Sequence, residues 1–304
     1  MMGILDSLKP NKMRVITGWV IGFLALFCVI AGGLPIMFLV GIIVFLGTKE
    51  YLKILGCKGF FPSPSILFIT QIAFVILAGF QRHDLIPIVL VGSTIGAFCA
   101  ILFKGRQPYI ANVATTVLGS IYCGWLPCHF ILMRQLSSES LGMLKISNNP
   151  GLGFLILTFF VVIATDVGGY YFGRKFGKNL LAPIVSPKKT REGAIGGTLF
   201  AVVVSIIIGF IIKLPIYHSI IIGIIITISS QLGDLSESLI KRDAGVKDSG
   251  NTLPGHGGFL DRTDGYIFAV PIAYYYFKFF VLYNPIWSDF YLFYDKLCNL
   301  LVFN

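Results

Sequence analysis

Residues 152–172 read LGFLILTFFVVIATDVGGYYF, a run that contains one charged side chain, Asp166. A membrane-spanning α-helix needs about 20 mostly apolar residues, so this stretch predicts a transmembrane helix. A carboxylate within such a helix is costly and by default indicates a functional site. Gly169, Gly173 and Gly177 recur at every fourth position, which predicts a face that packs closely against a neighbouring helix. We therefore expect Asp166 to point into a helical bundle.

The composition of the whole chain agrees with a membrane protein. Of its 304 residues, 56% are hydrophobic and 12% are charged, and the charged share is about half that of a soluble domain. These values exclude a soluble globular protein, a disordered chain and a small disulfide-stapled secreted module. The net charge of +10 would suit nucleic acid. Basic cytoplasmic loops explain it equally well in a membrane protein, so we predict no nucleic-acid partner.

The same length criterion predicts an all-α, polytopic bundle of about nine transmembrane helices. The predicted spans are 15–33, 34–48, 66–80, 85–103, 110–133, 152–172, 193–212, 214–232 and 266–283. We expect the two shortest, 34–48 and 66–80, to extend into their flanks. The aromatic tail, 286–303, either lies in the membrane interface or forms a tenth span.

The distribution of basic residues predicts the orientation of this bundle. With the N-terminus in the cytoplasm, 18 of the 24 Lys and Arg residues fall on the inner side, which is the arrangement that cytoplasmic loops favour. This predicted orientation would be wrong if 193–212 and 214–232 formed one re-entrant hairpin. We divide the chain into N-terminal transmembrane helices, 1–150, which we expect to form a bundle or dimer scaffold, and a C-terminal catalytic region, 151–304. The second region has predicted cytoplasmic loops at 173–192 and 233–265.

Charge is concentrated in one third of the chain. Residues 166–264 hold 8 of the 14 acidic and 11 of the 24 basic residues, and the two signs separate within that stretch. Residues 174–192 hold six bases and one acid, whereas residues 234–264 hold six acids and four bases. The first segment is suited to anions and the second to cations, and both lie on the predicted cytoplasmic side.

The acid-rich segment has the spacing of a cation site. On a helix, Asp234 and Ser238 share a face with the basic pair 241–242, and Glu237 and Lys241 pair at a spacing of four residues. Asp261 and Asp264 converge if the last span begins near them. Clusters of oxygen ligands select hard cations such as Mg²⁺, which usually completes its shell with water and substrate phosphates. A single acid of this kind is more often a helix cap or an interfacial charge. Six acids around a glycine-rich loop favour a site.

The basic segment combines several groups that bind phosphate. Positive-inside topology explains its bases, but it does not explain Ser186-Pro187 before Lys188-Lys189-Thr190, with Gly at the start of the next span. Hydroxyls, ammonium groups and a helix N-terminus together form a phosphate cradle.

These segments resemble a known family. The segment 238–264 is similar to the signature of the phosphatidate cytidylyltransferases, also called CDP-diacylglycerol synthases. The matching blocks are SLIKR (238–242), KD (247–248) and LPGHGGFLDRTD (253–264). The blocks DVGGY (166–170) and SPKKTREG (186–193) also resemble blocks of that family. The resemblance covers roughly residues 160–265. It implies a polytopic α-helical membrane enzyme, often a homodimer, that converts phosphatidic acid and CTP to CDP-diacylglycerol and pyrophosphate with a divalent metal.

The resemblance also implies roles for individual residues. Asp234 and Asp261 correspond to metal-binding carboxylates, which implies Mg²⁺ and leaves a second cation open. A phosphate monoester is already a nucleophile and needs no strong general base, so His256 and Asp264 receive supporting roles in orienting the loop or handling protons. The basic residues expected to bind the triphosphate and the lipid phosphate are Lys188, Lys189, Arg191, Lys241, Arg242 and Arg262. The remaining candidates for substrate binding are Asp166, Ser186, Thr190, Ser238, Lys247 and Asp248.

Three rival functions fit these residues less well. A CTP-dependent lipid kinase would transfer the γ-phosphoryl group instead. A transporter would place its polar residues across the membrane midplane, whereas these concentrate at one face. A CDP-alcohol phosphotransferase would need an Asp-Gly motif followed by Ala-Arg, and Asp264-Gly265 is followed by apolar and aromatic residues. The short N-terminus resembles bacterial members of the family, so the predicted location is a bacterial cytoplasmic membrane with the site facing the cytoplasm.

Overall fold

The structure is a computed structural model that describes residues 22–137, 150–250, 252 and 257–282. It is a helical bundle with one small β-hairpin. The helices are α1 (Gly22–Ala31), α2 (Gly33–Lys58), α3 (Pro64–Gly79), α4 (Ile86–Lys104), α5 (Tyr109–Gly119), α6 (Leu126–Arg134), α7 (Pro150–Phe176), α8 (Arg191–Ile211), α9 (Ile216–Asp243) and α10 (Leu260–Tyr276). A turn of 3₁₀-helix (His83–Leu85) precedes α4, and π-helical turns (Ser120–Trp125 and Phe277–Leu282) continue α5 into α6 and extend α10.

Seven helical segments of the described chain are long and apolar enough to cross a membrane. They are Gly33–Lys58, His83–Lys104, Tyr109–Arg134, Pro150–Phe176, Arg191–Ile211, Ile216–Asp243 and Leu260–Leu282. Two shorter apolar helices are Gly22–Ala31 and Pro64–Gly79. Each of these nine described segments overlaps one of the nine predicted spans. The prediction of an all-α transmembrane bundle is confirmed, and the chain is an integral membrane protein.

The boundaries differ from the prediction in informative places. The span predicted at 34–48 does extend, to Lys58, whereas α3 ends at Gly79 and gains little length. The last two helices reach into the predicted loop 233–265, because α9 continues to Asp243 and α10 begins at Leu260. Hydropathy alone ends a span where polar residues begin, but side-chain pairs four residues apart continue this helix. His256 and the tail 286–303 lie outside the described residues.

The predicted loop 173–192 also has regular structure. Helix α7 continues to Phe176, and β1 (Leu180–Ala182) then pairs antiparallel with β2 (Ser186–Thr190). This hairpin is the exception to the all-α prediction among the described residues. It leads directly into α8, whose first turn is capped by Thr190, since the Thr190 hydroxyl accepts a hydrogen bond of 3.1 Å from the Gly193 N–H.

Glycines bring α7 and α8 into backbone contact. A Cβ at Gly197 would lie 2.8 Å from the Thr165 carbonyl oxygen, and a Cβ at Gly193 would lie 2.8 Å from the Gly169 carbonyl oxygen. Such distances leave no room for a side chain, and small residues allow membrane helices to approach this closely. The close-packing face predicted from Gly169, Gly173 and Gly177 is confirmed. Further contacts pair α9 with α10 and α8 with α9, so the four C-terminal helices pack as one group.

Candidate active site

The site is built around the crossing of α9 and α10. A Cβ at Gly233 would lie 2.5 Å from the Asp264 carbonyl oxygen, and a Cβ at Gly265 would lie 2.6 Å from the Ser230 hydroxyl. The two backbones therefore touch at these glycines. Asp234 follows the first glycine and Asp264 precedes the second, so the crossing makes the two aspartates neighbours, and their carboxylates interact electrostatically.

Helix α7 adds a third carboxylate to this pair. The hydroxyls of Thr165 and Thr227 form a hydrogen bond of 3.2 Å that fixes α7 against α9 one residue before Asp166. The Asp166 carboxylate interacts electrostatically with Asp234, Lys189 and Arg262, and its side chain remains accessible. Asp166, which was predicted from one apolar span, is thus brought together with two acids of the 234–264 segment, Asp234 and Asp264.

The hairpin places basic residues against the carboxylates. The Lys189 ammonium on β2 forms an ion pair with Asp234 Oδ2, while the Ser238 hydroxyl donates to Asp234 Oδ1 over 3.4 Å. The Arg242 guanidinium donates to the Val185 carbonyl over 3.2 Å and ties α9 to the hairpin turn. The structure therefore joins the basic and the acid-rich segments in one place.

Glu192 anchors the other end of the hairpin. Its carboxylate accepts hydrogen bonds from the backbone N–H groups of Lys178 and Asn179, both at 3.1 Å, and from the Asn179 side-chain amide at 2.7 Å. The carboxylate belongs to the first turn of α8, so these bonds fix the segment after α7 to the start of α8. The position of β2 follows from this anchor together with the Thr190 cap.

Lys241 lies between two carboxylates. Its ammonium group donates to Glu237 Oε2 at 2.7 Å and to Asp261 Oδ1 at 2.5 Å, which ties α9 to the first turn of α10. The predicted pairing of Glu237 with Lys241 is confirmed. Asp261 Oδ2 accepts two further hydrogen bonds, from the N–H groups of Ser249 at 3.0 Å and Gly258 at 3.1 Å. Asp261 is therefore held at a fixed orientation by groups from three segments.

Glu50 of α2 reaches the same region from the N-terminal half of the chain. It is buried, and its carboxylate accepts hydrogen bonds from Ser249, Thr252, Phe259 and Leu260. Sequence reasoning missed Glu50 because span 34–48 was expected to extend into its flanks without a stated end, so the acid was not placed within the helix. The apolar spacing of Tyr51, Ile54 and Leu55 was the signal that could have fixed the extent of the helix and marked the acid within it.

The other predicted residues have less defined surroundings. Ser186 is half-buried on β2, and Arg262 is exposed on α10 and interacts electrostatically with Asp166. The side chains that project outward are those of Lys188, Arg191, Lys247 and Asp248. The basic ones suit a ligand that arrives from solvent.

The chemistry of the site fits a hard cation. The only potential ligand atoms of the three neighbouring carboxylates are oxygens; these carboxylates belong to Asp166, Asp234 and Asp264. The Oε1 atom of nearby Glu237 is buried and has no hydrogen-bond partner among the described residues. Among the described residues, no group of three or more His, Cys, Asp or Glu side chains is placed to hold a metal ion together. Mg²⁺ is usually held by one or two carboxylates together with water and substrate phosphates, so a partial protein shell is sufficient.

Fold and site together define an integral membrane protein with a mixed cationic and anionic site at the ends of its C-terminal helices. Comparison with known proteins identifies the class more closely. The profile of the cytidylyltransferase family matches residues 12–280. The chain belongs to the cytidylyltransferase family.

Curated relatives carry a more specific name. The chain is 34% identical to the phosphatidate cytidylyltransferase of Synechocystis sp., over 91% of this chain and 98% of that protein. It is 32% identical to the phosphatidate cytidylyltransferase of Bacillus subtilis, over 87% of this chain and 96% of that protein. It is also 33% identical to the chloroplastic phosphatidate cytidylyltransferase 4 of Arabidopsis thaliana, over 88% of this chain and 73% of the relative. These relatives confirm the resemblance found in the signature.

Proposed function

We propose that this protein is a membrane nucleotidyltransferase that makes CDP-diacylglycerol and pyrophosphate from CTP and phosphatidic acid. The observation that carries the proposal is the ion pair between Lys189 and Asp234. It joins a basic hairpin to a group of carboxylates, and both kinds of charge are needed where a metal–nucleotide complex meets an anionic lipid. The names of the relatives support the same substrates.

The proposed reaction is a direct displacement at phosphorus. An oxygen of the lipid phosphate forms a bond to the α-phosphorus of CTP. The bond from that phosphorus to the oxygen bridging the α- and β-phosphates breaks, and pyrophosphate leaves with its electron pair. Both reactants are anions, so catalysis consists of positioning them and offsetting negative charge. No strong general base is required, because the lipid phosphate is already a nucleophile.

Basic side chains bind the two phosphate groups in this proposal. Lys189 has its ammonium group at the carboxylates, and Arg262 lies near Asp166. Lys188, Arg191 and Arg242 extend the positive surface outward to the triphosphate. Lys241 is held by Glu237 and Asp261, so its role is to fix Asp261 as well as to contribute charge.

The proposed metal is Mg²⁺, held by Asp234 and Asp261, with a second cation left open. Asp166 and Asp264 interact with Asp234 and enlarge the set of oxygen ligands on that side. Bound Mg²⁺ supplies charge neutralisation at the nucleotide phosphates. The α9–α10 crossing and Lys241 fix these carboxylates, and substrate phosphates would supply further ligands to a bound cation.

The location of the site follows from the charge of the loops. The hairpin and the ends of α9 and α10 carry the basic residues that the positive-inside rule assigns to the cytoplasm. CTP then enters from the cytoplasm and phosphatidic acid from the bilayer. A bacterial cytoplasmic membrane and a homodimer complete the proposal.

Product analysis tests this function. Purified protein in lipid nanodiscs is incubated with CTP and phosphatidic acid, with and without Mg²⁺, and lipids are analysed by mass spectrometry. The expected product is CDP-diacylglycerol, formed with Mg²⁺ only. Absence of any CDP-lipid under all metal conditions would overturn the proposal.

A further inference from the structure

Glu50 is a buried acid that has no ion pair among the described residues. It is the single acidic residue of α2, and only 3% of it is exposed. The adjacent Lys49 ammonium lies over the Phe45 ring, 4.8 Å from its centroid. Burying a carboxylate is strongly unfavourable unless hydrogen bonds or a cation compensate. Hydrogen bonds provide that compensation here.

Four donors converge on the Glu50 carboxylate. Oε1 accepts from the Thr252 hydroxyl at 2.5 Å and from the Phe259 N–H at 2.8 Å. Oε2 accepts from the Ser249 hydroxyl at 2.7 Å and from the Leu260 N–H at 2.8 Å. Each oxygen thus receives two hydrogen bonds. The donors come from both ends of the segment that connects α9 to α10.

Two of these donors belong to the start of α10. The first N–H groups of a helix have no partner within the helix, and they form the positive end of its dipole. Phe259, at the N-cap position, makes no side-chain capping bond of its own. Glu50 therefore caps α10 from a different helix, 210 positions earlier in the chain.

Ser249 links this cap to Asp261. Its hydroxyl donates to Glu50, and its backbone N–H donates to Asp261 Oδ2 at 3.0 Å. Packing around this link is tight, because a Cβ at Gly258 would lie 1.7 Å from the Ser249 hydroxyl and one at Gly250 would lie 2.8 Å from Glu50 Oε1. Any movement of the Glu50 carboxylate must therefore shift Ser249 or the first turn of α10, which carries Asp261.

We propose that Glu50 is a positioning residue for the transfer reaction. It fixes Ser249 and the first turn of α10, and through them it sets the orientation of the Asp261 carboxylate. This inference rests on the proposed function and on the role proposed for Asp261. It assigns a contribution to the reaction to the N-terminal helices, where scaffolding alone was predicted.

The decisive variant is Glu50→Gln, which keeps the shape of the side chain. The amide has one acceptor oxygen, and its N–H groups would face other donors. Loss of partners that orient metal ligands typically lowers metal affinity or activity by about 10–100-fold. We expect a fall in kcat of that size, a higher Mg²⁺ concentration for half-maximal turnover, and a nearly unchanged KM for CTP. Glu50→Asp, which keeps an acceptor-only group, should fall between Glu50→Gln and the natural protein.

Two measurements are independent of turnover. Hydrogen exchange of peptides spanning residues 257–262 should accelerate in Glu50→Gln, because the N–H of either Phe259 or Leu260 would face the amide NH₂ group and lose its acceptor. Mn²⁺ binding, followed by electron paramagnetic resonance, should weaken in the same variant. The matched control is Asp84→Asn, the same carboxylate-to-amide change at an exposed acid paired with Arg82. It should leave all readouts unchanged.

The outcomes separate this inference from the proposed function. If the natural protein makes no CDP-lipid, the proposed function fails and this inference fails with it. If the natural protein is active and Glu50→Gln matches its kcat and Mg²⁺ response, only the positioning role is overturned. Should Glu50→Gln fail to fold, Glu50→Asp and Ser249→Ala decide. If both of these variants have a reduced kcat and need a higher Mg²⁺ concentration, the positioning role is supported. If both have the kcat and Mg²⁺ response of the natural protein, the positioning role is overturned.

Discussion

Lys189 on β2 and Asp234 on α9 form an ion pair in which each side chain is 30% exposed. Their partial exposure leaves both groups within reach of a ligand from solvent. The pair also connects two segments that are 45 positions apart in the sequence, and it defines where the nucleotide phosphates and the metal are proposed to meet.

Replacing Asp234 with Asn should abolish metal-dependent turnover. The change keeps the size of the side chain but removes its charge, and we expect activity to fall by about 100-fold or more, beyond the loss typical of partners outside the metal shell. The activity of the variant is measured as the steady-state rate of CDP-lipid formation in nanodiscs. Asp243→Asn is the control on the same helix, since Asp243 forms an exposed ion pair with Lys58, and such pairs contribute little. Equal activity in both variants would remove Asp234 from the metal site.

Replacing Lys189 with Ala should weaken CTP binding. Hydrogen bonds to charged groups contribute about 1.5–3 kcal/mol, so the KM for CTP should rise by about 10–100-fold. Lys188→Ala should cause a smaller rise, because its side chain is more exposed. Lys175→Ala controls for topology, because Lys175 is an exposed base at the end of α7, 5.3 Å from the centroid of the Phe176 ring. If all three variants gave the same KM, the basic hairpin would serve orientation in the membrane only.

Adding a methyl group at Gly233 should separate α9 from α10. A Cβ there would lie 2.5 Å from the Asp264 carbonyl oxygen, which is backbone and cannot move aside. Overpacking of this kind costs about 1–3 kcal/mol. Gly233→Ala should lower the thermal midpoint in detergent and reduce turnover. Gly92→Ala, where a Cβ meets nothing within 4 Å, should do neither. A Gly233→Ala protein with natural stability and activity would contradict the close crossing.

Loss of the Glu192 carboxylate should loosen the hairpin. Glu192→Ala removes both carboxylate oxygens and with them the acceptor of the backbone N–H groups of Lys178 and Asn179. Since β2 carries Lys189, we expect the KM for CTP to rise more than kcat falls. Asn179→Ala removes only the side-chain bond at 2.7 Å and should have a smaller effect. A fall in kcat at constant KM would instead place Glu192 in the chemical step.

Much of the fold follows from hydropathy, and the exceptions have physical reasons. The nine apolar stretches coincide with apolar helices because membrane helices must be apolar wherever lipid surrounds them. The extension of α9 to Asp243 was missed because polar side chains end a hydropathy window without ending a helix. The hairpin was missed because Ser186–Thr190 lacks the alternation of apolar and polar residues typical of strands.

Site residues could be predicted from the sequence in two cases: where they lie close together along the chain, and where their residue type is rare within a membrane span. Asp166 was found because an acid in a span is unusual, and the Glu237–Lys241 pair followed from helical spacing. The ion pair of Lys189 with Asp234 depends on how the hairpin packs against α9, and the cap from Glu50 depends on how α2 packs against α10. That packing is set by glycine contacts such as Gly193 with Gly169, whose partners a single sequence does not reveal.

The most direct test of the central claim follows the label from CTP. The natural protein is supplied with phosphatidic acid, Mg²⁺ and CTP labelled either at the α- or at the γ-phosphorus, and the lipid is separated from the aqueous products. The proposed transfer predicts α-label in the lipid and γ-label in pyrophosphate. Lipid that carries the γ-label, with CDP as the aqueous product, would show a lipid kinase and contradict the account.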